Sequence, residues 1–496
     1  MARHILSKST FIRGIQCHKS LFLNRYHKEL RDTLSPEQEA LFSRGTDVGI
    51  FAQQLFPGGV DASPENYYDF SPSLKKTKQL MSRGTDVIYE AAFHHDGLLA
   101  AIDIFVKDNT RWKIYEVKSA TSISDTHILD ASYQYYVATQ SGIAISDISL
   151  VHINTEYVRH GPIDIASLFT IVSVLKEARE KQNFVRETIF LLKTVLKNKS
   201  LPAIDIGEHC DSPYPCDFKG YCWQHIPENS IFDISGLYSK KKFELYNKGI
   251  VALQDIPDDY DLSPSQHIQV KCALNNEKHI KNDEMKRFLQ DITYPLYFLD
   301  FETFQPAIPL FENTRPYQRI VFQYSLHYKE TEYATLLHFE FLGDGKTDPR
   351  RPLIEKLLPD TKTPGAILVY NKAFECTIMK ELAESFPEYS GEITERLSRI
   401  KDLMIPFQKK YYYTPEMKGS YSIKYVLPAL IPNPPERYED LEICNGDIAM
   451  NAYESLNTES NPQKRERTRH ALLRYCRLDT LAMIWILEIM EKCGMK

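Results

Sequence analysis

The 496-residue sequence lacks several features that would restrict what the protein is. It has no apolar run approaching the roughly 18 residues that a membrane-spanning helix needs. The N-terminal stretch MARHILSKSTFIRG has no apolar core followed by small residues, which an export signal would have. Internal repeats and low-complexity tracts are also missing. We therefore expect a cytoplasmic protein with no membrane partner.

The sequence also lacks a strong charge of one sign, since its formal net charge is −6. This balance neither favours nor excludes nucleic acid, because binding needs only a local basic track and metal-binding acids add negative charge. Its 496 residues exceed what one hydrophobic core usually accommodates. Alternating helical and strand-like patterns predict an α/β protein, divided into residues 1–225, 226–290 and 291–496.

The segment YFLDFETF, residues 297–304, places two acids in an otherwise apolar run that predicts a buried strand. Side chains two apart on a strand point to the same side of the sheet, so Asp300 and Glu302 would face one spot. Two buried anions repel each other unless a cation lies between them. The pattern predicts a metal site. An edge strand with both acids facing water is the alternative.

Two later segments supply further polar groups on predicted helices. The strand GAILVY, residues 365–370, leads into a helical repeat that places Asn371 at the strand end and Glu375 in the first helical turn. Strand-to-helix junctions are where α/β sheets present functional groups. In the last predicted helix, Tyr475 and Asp479 are four residues apart and therefore on one face.

These three motifs resemble the DEDD family of 3′–5′ exonucleases, in the subclass with a catalytic tyrosine. The resemblance implies an RNase H-like fold and hydrolysis of phosphodiester bonds with two Mg²⁺ or Mn²⁺ ions. It implies that Asp300 bridges both ions, that Glu302 and Asp479 complete the coordination of the first ion, and that Glu375 holds the second ion, directly or through water. Tyr475 would orient the attacking water. Glu375 departs from the family pattern, which has Asp at this position.

The N-terminal region contains a second acid pattern. Residues 88–121 predict three antiparallel strands, with Glu90 on the first and Asp103 on the second. Glu116 and Lys118 share a face of the third strand. Acids there would coordinate Mg²⁺, and the lysine would stabilise the water or the negative charge of the transition state. An exposed Glu–Lys pair on a strand is the alternative.

The pattern of Asp103 on one strand and Glu116-Val117-Lys118 on the next resembles the PD-(D/E)xK nucleases, which have a restriction-endonuclease-like fold. Gln134 and Tyr135, in the helical segment DASYQYYVATQSG, resemble the helix that follows the core in RecB-like nucleases. The resemblance implies Mg²⁺ or Mn²⁺ bound by Glu90, Asp103 and Glu116. The upstream segment RGTDVGIFAQQLFP has no counterpart of the metal-binding His that the family often carries.

Nine cysteines in a chain without an export signal do not predict a disulfide framework. Cys210, Cys216 and Cys222 cluster in HCDSPYPCDFKGYCW, and Cys17 precedes the predicted nuclease core. This layout resembles the iron–sulfur RecB-like nucleases and implies a structural [4Fe–4S] cluster held by the four thiolates. The alternatives are Zn²⁺, with a neighbouring His in place of one Cys, and four unligated thiols.

The middle segment predicts mainly helix. Residues 243–266 contain a helix, a Gly-Ile turn and a second helix, a pattern that resembles a helix–hairpin–helix. Such turns present backbone N–H groups to DNA phosphates. A helical linker with a solvated charge run is the alternative.

Together these patterns predict a metal-dependent nuclease in DNA repair, processing or defence, with DNA favoured over RNA as its partner. The chain resembles bacterial proteins in which a RecB-like nuclease is fused to a DEDD-type exonuclease. The alternative is a nucleic-acid-binding scaffold in which one or both nuclease domains are inactive. Lys118 and Tyr475 argue against the scaffold, because binding alone requires neither.

Overall fold

The computed structural model describes residues 5–34 and 36–494, and the side chains of all of these except 36–44 and 493–494. Over this part of the chain the protein is a mixed α/β protein, as predicted, with two mixed β-sheets and surrounding helices. None of the described helices is both long enough and apolar enough to cross a membrane.

The chain forms two compact units. The first contains residues 1–225 together with 307–317, and the second contains 226–306 and 318–496. The segment 226–290 therefore lies in the same unit as the C-terminal residues. Residues 307–317 pack with the first unit, although along the chain they lie between the two segments of the second unit.

The first unit is built around a seven-stranded sheet. Its strands are β1 (Leu6–Ser7), β2 (Val60–Asp61), β3 (Val87–His95), β4 (Leu98–Asp108), β5 (Arg111–Lys118), β6 (Ile145–Ile153) and β7 (Phe169–Ser173). Its helices are α1 (Lys8–Gln16), α2 (His18–Tyr26), α3 (Pro36–Gln53), α4 (Ser71–Ser82), α5 (Asp125–Gln140), α6 (Ile165–Leu168), α7 (Leu175–Glu180), α8 (Gln182–Lys197) and α9 (Lys219–Cys222).

The strands of this sheet follow the order β2-β3-β4-β5-β6-β7, and β1 pairs with β4. Strands β3, β4 and β5 are antiparallel neighbours, which confirms the prediction for residues 88–121. Helix α5 connects β5 to the parallel strand β6. The main core includes Ile114 and Tyr133. The Tyr133 side chain is buried there without leaving its hydroxyl unpaired, because the hydroxyl is shared between the carbonyls of Leu6 and Leu99.

The second unit is built around a five-stranded sheet and a separate two-stranded one. Its strands are β8 (His279–Ile280), β9 (Leu296–Phe304), β10 (Ile320–Lys329), β11 (Leu337–Leu342), β12 (Ala366–Val369), β13 (Ile400–Asp402) and β14 (Tyr412–Tyr413). Its helices are α10 (Ser239–Asn247), α11 (Pro264–Asn275), α12 (Asn282–Gln290), α13 (Arg350–Asp360), α14 (Lys372–Ser385), α15 (Ser390–Ser398), α16 (Ile405–Gln408), α17 (Ile423–Leu430), α18 (Gly446–Ser455) and α19 (Pro462–Gly494).

The larger sheet of the second unit has the order β11-β10-β9-β12-β13. The predicted strands at 296–303 and 365–370 are confirmed as β9 and β12. Strand β9 pairs antiparallel with β10 and parallel with β12. It is therefore the central strand, and helix α19 packs against both β9 and β10.

The middle segment has a small apolar core of its own, formed by Ile231, Ile234, Leu237, Leu245, Leu253 and Leu262. Helix α10 ends before a turn at Gly249, which has φ +79°. A short 3-10 turn follows, and the next helix, α11, begins only at Pro264. Of the lysines before the turn, Lys242 donates to the carbonyl of Phe232 at 2.6 Å.

Candidate metal centres

Asp300 and Glu302 lie on β9, the central strand of the second unit's larger sheet. They pair with Ser325 and Gln323 of β10, and both of these partners are buried. Glu302 is 8% exposed and Asp300 is half-buried. Strand β9 also pairs with β12 over residues 296–298, so it is not an edge strand, and neither acid is fully exposed to water.

Two helices bring further ionisable groups to this strand. Helix α19 places the Cys476 sulfur 3.3 Å from Asp300 Oδ2. The ligand atoms of Asp300, Glu302 and Cys476 all lie within 4.8 Å of one another. Asp479, one turn further along α19, and Glu375, in the first turn of α14, are both buried. We call Asp300, Glu302, Glu375 and Asp479 the C-terminal acid centre.

Burial raises the pKa of every acid in this centre, and the charges of neighbouring acids add to this effect at Asp300, Glu302 and Glu375. For Asp300 the larger cause is burial, followed by the charge of Asp479. For Glu302 it is burial, followed by the charge of Asp300. Burial raises the pKa of Glu375 to about 10 and that of Asp479 to about 6. Such groups ionise together only when a compensating cation is present.

The helix that carries Glu375 is held by an acid that the sequence motifs did not include. Asp402, at the end of β13, accepts the backbone N–H of Asn371 at 3.2 Å and that of Lys372 at 3.0 Å. Asn371 has φ +94°, and its side chain makes no capping hydrogen bond. Asp402 therefore caps α14 from a neighbouring strand and fixes the position of Glu375.

Lys424 and Tyr438 complete this centre, and no sequence pattern identified them. Tyr438 donates its hydroxyl to Asp479 Oδ1 at 2.6 Å. The Lys424 ammonium lies 5.2 Å from the ring centre of Tyr475 and 5.4 Å from that of Tyr438. Its positive charge lowers the pKa values of Asp300, Glu302 and Asp479 and so offsets part of the effect of burial. Neither residue belongs to a motif of fixed spacing, so only the fold brings them to the acids.

In the first unit, Glu90, Asp103 and Glu116 lie on three adjacent strands. The β3–β4 ladder is interrupted at Glu90, which has φ +54° and stands opposite Asp103. Asp103 Oδ2 accepts the backbone N–H of Val117 at 2.7 Å, which ties it to β5 beside Glu116. Glu116 is completely buried. The structure thus brings together the three acids that the sequence predicted.

Two lysines face these acids, and the sequence predicted only one of them. Lys118 donates to Glu116 Oε1 at 2.7 Å and also to Asp130 Oδ2. Lys8, the first residue of α1, donates to the same Glu116 oxygen at 2.6 Å. Glu116 Oε2 and Asp130 Oδ1 are buried and have no hydrogen-bond partner among the described residues. Glu90, Asp103, Glu116 and Asp130 are called the N-terminal acid centre below.

The charges in this centre separate the acids into two classes. Burial opposes ionisation of Glu116, but the Lys118 and Lys8 ammonium groups outweigh it and hold its pKa well below the ordinary value. Burial, followed by the charge of Glu116, raises the pKa of Asp103 well above its usual range. Burial raises the pKa of Glu90 as well. Within the described part of the chain, no three ligand atoms of this centre lie within 4.8 Å of one another.

Helix α5 carries the two residues that resemble the helix of RecB-like nucleases, as well as Asp130. Gln134 is completely buried, and neither amide atom has a hydrogen-bond partner among the side chains described. Tyr135 is half-buried, and its hydroxyl accepts Arg179 Nε at 3.4 Å.

Cys17, Cys210, Cys216 and Cys222 line one small cavity of the first unit. Burial raises the pKa of Cys17 and of Cys222. No three of the four sulfurs lie within 4.8 Å of one another among the described residues. Zn–S bonds of about 2.3 Å hold tetrahedral thiolates closer together than that. The structure therefore brings the four cysteines together, at a spacing wider than a single Zn²⁺ would impose.

Helix α1 is tied to the cysteine segment by polar contacts. Arg13 forms a two-pronged ion pair with Asp217, which follows Cys216 in the chain. Gln16 donates to the carbonyl of His209 at 2.8 Å and to that of Tyr214 at 2.6 Å. The helix that begins at the N-terminal acid centre therefore ends at the cysteines.

Comparisons with known proteins give similarity without an activity. Residues 297–422 match the family model described as "Domain of unknown function (DUF2779)". "Uncharacterized protein UU173" of Ureaplasma parvum serovar 3 is 27% identical over 85% of this chain and 80% of its own length. "Uncharacterized protein MG366 homolog" of Mycoplasma pneumoniae and "Uncharacterized protein MG366" of Mycoplasma genitalium are each 26% identical. These two alignments cover 43% and 44% of this chain and 35% of each relative.

Proposed function

We propose that the protein is a metal-dependent nuclease with one active site in each unit. The observation that carries this proposal is the C-terminal acid centre, where three buried acids and the half-buried Asp300 converge from β9, α14 and α19. Buried like charges are costly unless a cation compensates them. Glu375 Oε2 has no hydrogen-bond partner among the described residues, which supports a role as ligand to a metal or its water.

The donor set of this centre fits Mg²⁺ or Mn²⁺, because carboxylate oxygens are the ligands that hard cations prefer. Asp300, Glu302, Glu375 and Asp479 are the residues that would hold the ions. When bound, a pair of such ions activates water and stabilises the leaving oxygen. Cys476 keeps its proton, since burial and then the Asp300 charge raise its pKa well above the usual value. It therefore serves Asp300 as a hydrogen-bond donor.

The protein groups around the acids support hydrolysis of a phosphodiester. Water adds to phosphorus, the bond to the 3′ oxygen of the preceding nucleotide breaks, and that oxygen leaves as a hydroxyl after taking up a proton. Tyr475 would orient the water through its hydroxyl, and Tyr438 holds Asp479 through one carboxylate oxygen, leaving the other for the ion. The Lys424 ammonium would face the phosphate, whose negative charge it complements. These roles favour a 3′–5′ exonuclease with an RNase H-like fold.

The N-terminal acid centre supports a second, RecB-like nuclease with a PD-(D/E)xK fold. Glu116 presents one oxygen to both lysines and leaves the other unpartnered in the interior. That free oxygen, with Asp103 and Glu90, would hold Mg²⁺ or Mn²⁺. Lys118 would stabilise the negative charge of the transition state. DNA is the favoured substrate.

We also propose that Cys17, Cys210, Cys216 and Cys222 hold a [4Fe–4S] cluster. Thiolate ligands suit iron–sulfur clusters and Zn²⁺ alike. The wide spacing of the sulfurs favours the larger group over a single Zn²⁺. A cluster bound there would stabilise the ends of α1 and α9, and its role would be structural.

The test is cleavage of oligonucleotides labelled at either end by anaerobically purified full-length protein with Mg²⁺ or Mn²⁺. Asp300→Asn should abolish stepwise release from the 3′ end, and Lys118→Ala should abolish a different set of products. Each loss should be about 100-fold or more, since each change removes a ligand or a charge used in the transition state. Binding without cleavage by the wild type would favour the nucleic-acid-binding scaffold. Identical product ladders in all three proteins would refute the two-site proposal.

A further inference from the structure

A cavity of about 400 Å³ lies in the second unit between α17 and the proline-rich turn that follows it. Its wall includes three prolines, Pro428, Pro432 and Pro434, together with Leu427 and Cys444. We call it the proline cavity. Its volume falls within the roughly 300–1,000 Å³ of small-molecule sites, which are mostly apolar with a few polar groups that fix orientation.

Two residues that line this cavity also act on the C-terminal acid centre. Tyr438 lines the cavity with its ring while its hydroxyl bonds Asp479 at 2.6 Å. Lys424 also lines the cavity, and its ammonium lies 5.2 Å from the ring centre of Tyr475. A ligand in the proline cavity would therefore lie next to the groups that hold and orient the acids.

The charges around the cavity suit a ligand with an anionic end. Lys424, whose ammonium lies near the rings of Tyr438 and Tyr475, and Arg437 are the two cations in the wall. Arg437 is exposed, and one of its terminal nitrogens donates to Asn433 Oδ1 at 2.7 Å. Glu439 is the one acid of the wall. Proline rings and a tyrosine ring provide the flat, apolar surface against which a nucleobase packs.

We infer that the proline cavity binds the terminal nucleoside of a polynucleotide, with its 5′-phosphate towards Lys424 and the acid centre. This inference rests on the proposed exonuclease function of the second unit. A 3′–5′ exonuclease cuts between the last two nucleotides, so the scissile phosphate is the 5′-phosphate of the nucleoside in the cavity. The released product, a nucleoside 5′-monophosphate, should therefore bind the same cavity by itself.

The experiment is calorimetric titration of the full-length protein, in Mg²⁺, with 2′-deoxyadenosine 5′-monophosphate and with its 3′-monophosphate isomer. Cys444→Trp fills the cavity and should weaken binding of the 5′ isomer by more than tenfold. Arg437→Ala should weaken it roughly fivefold to tenfold, the effect of losing one solvent-accessible hydrogen bond. The matched control is Arg467→Ala, an exposed arginine of α19 that pairs with Glu442 instead. It should stay within twofold of wild type.

Oligonucleotide cleavage by the same variants separates this inference from the proposed activity. A raised KM in Arg437→Ala, with kcat nearly unchanged, supports the inference. Because Arg437 is exposed, this variant is informative even if the Cys444→Trp protein fails to fold. Cleavage with an unchanged KM and equal 5′-monophosphate affinity in both variants would overturn the cavity assignment and leave the nuclease standing. Nucleotide binding that the variants lose, without any cleavage, would support the cavity and refute the nuclease.

Discussion

Glu375 shows how burial changes what a single carboxyl group does. The residue is 1% exposed, and burial raises its pKa to about 10. Without a cation it is therefore protonated at neutral pH. The group extends from α14, and the charges of Asp300, Asp402 and Asp479 also act on it. A cation that binds here must displace protons, so its binding depends on pH.

At this scale we predict that Mn²⁺ or Mg²⁺ raises the Tm of the second unit more at pH 8 than at pH 5. The folded acids retain protons that unfolded carboxyls lose near pH 4, so the metal-free fold loses stability as pH rises through the folded pKa values. One of these is about 6, for Asp479. A bound cation replaces those protons and removes the penalty. Differential scanning calorimetry at pH 5 and pH 8, with and without metal, measures the Tm of the metal-free protein and the increase in Tm that the metal causes.

The control for this prediction is Asp300→Asn, which removes one charge from the acid centre with little change in volume. Its metal-dependent Tm shift should fall to nearly zero, and its metal-free Tm at pH 8 should be higher than that of wild type. An equal metal-induced shift at both pH values in the wild type would contradict the prediction.

At the scale of elements, helix α1 connects two features that are far apart in the sequence. Lys8 at its start contacts Glu116, and Gln16 at its end donates to the cysteine segment. A nine-residue helix is short enough to be rigid when both ends are held. The position of Lys8 therefore depends on how the cysteines are held.

We predict that Lys8→Met, which retains Lys118, lowers the nuclease activity proposed for the first unit by roughly tenfold. The change leaves Glu116 with one ammonium group instead of two, so its free oxygen is less firmly placed for a cation. The loss of this partly buried ion pair should also cost about 1–3 kcal/mol of stability. Cleavage assays and urea unfolding measure the two effects. Lys107→Met is the matched control, because Lys107 pairs with the exposed Asp86 at 3.8 Å and should change neither.

At the scale of the whole molecule, the first unit is discontinuous in the chain. Ala307 and Ile308 pack in its second core cluster with Val48 and Ile153. In the same segment, the carbonyls of residues 309 and 310 accept Arg159 at 3.1 and 2.6 Å. A cut at the end of residues 1–225 would therefore remove part of the unit's own core.

We predict that a fragment of residues 1–225 unfolds at a lower temperature than the same unit in the full chain. Exposure of a few buried apolar side chains costs about 1.5–3 kcal/mol each. Fusing residues 307–317 to the fragment through a flexible linker should restore most of the loss. Circular dichroism melts and limited proteolysis would detect it. Equal melting of the bare fragment and the fused one would show that the segment contributes nothing.

The sequence by itself determined the residues that alternate along β9 and the strands that carry Glu90, Asp103 and Glu116. It also determined the helical spacing of Tyr475 and Asp479. These follow from local periodicity, which fixes the side of a strand or helix on which a side chain lies.

Only the tertiary structure decided the rest, because contacts between distant segments leave no period in the chain. It placed Lys8 on Glu116, put Asp402 at the start of α14, and set Tyr438 against Asp479. It also assigned residues 307–317 to the first unit. Each of these depends on where separate elements pack, which the spacing of residues within one element does not encode.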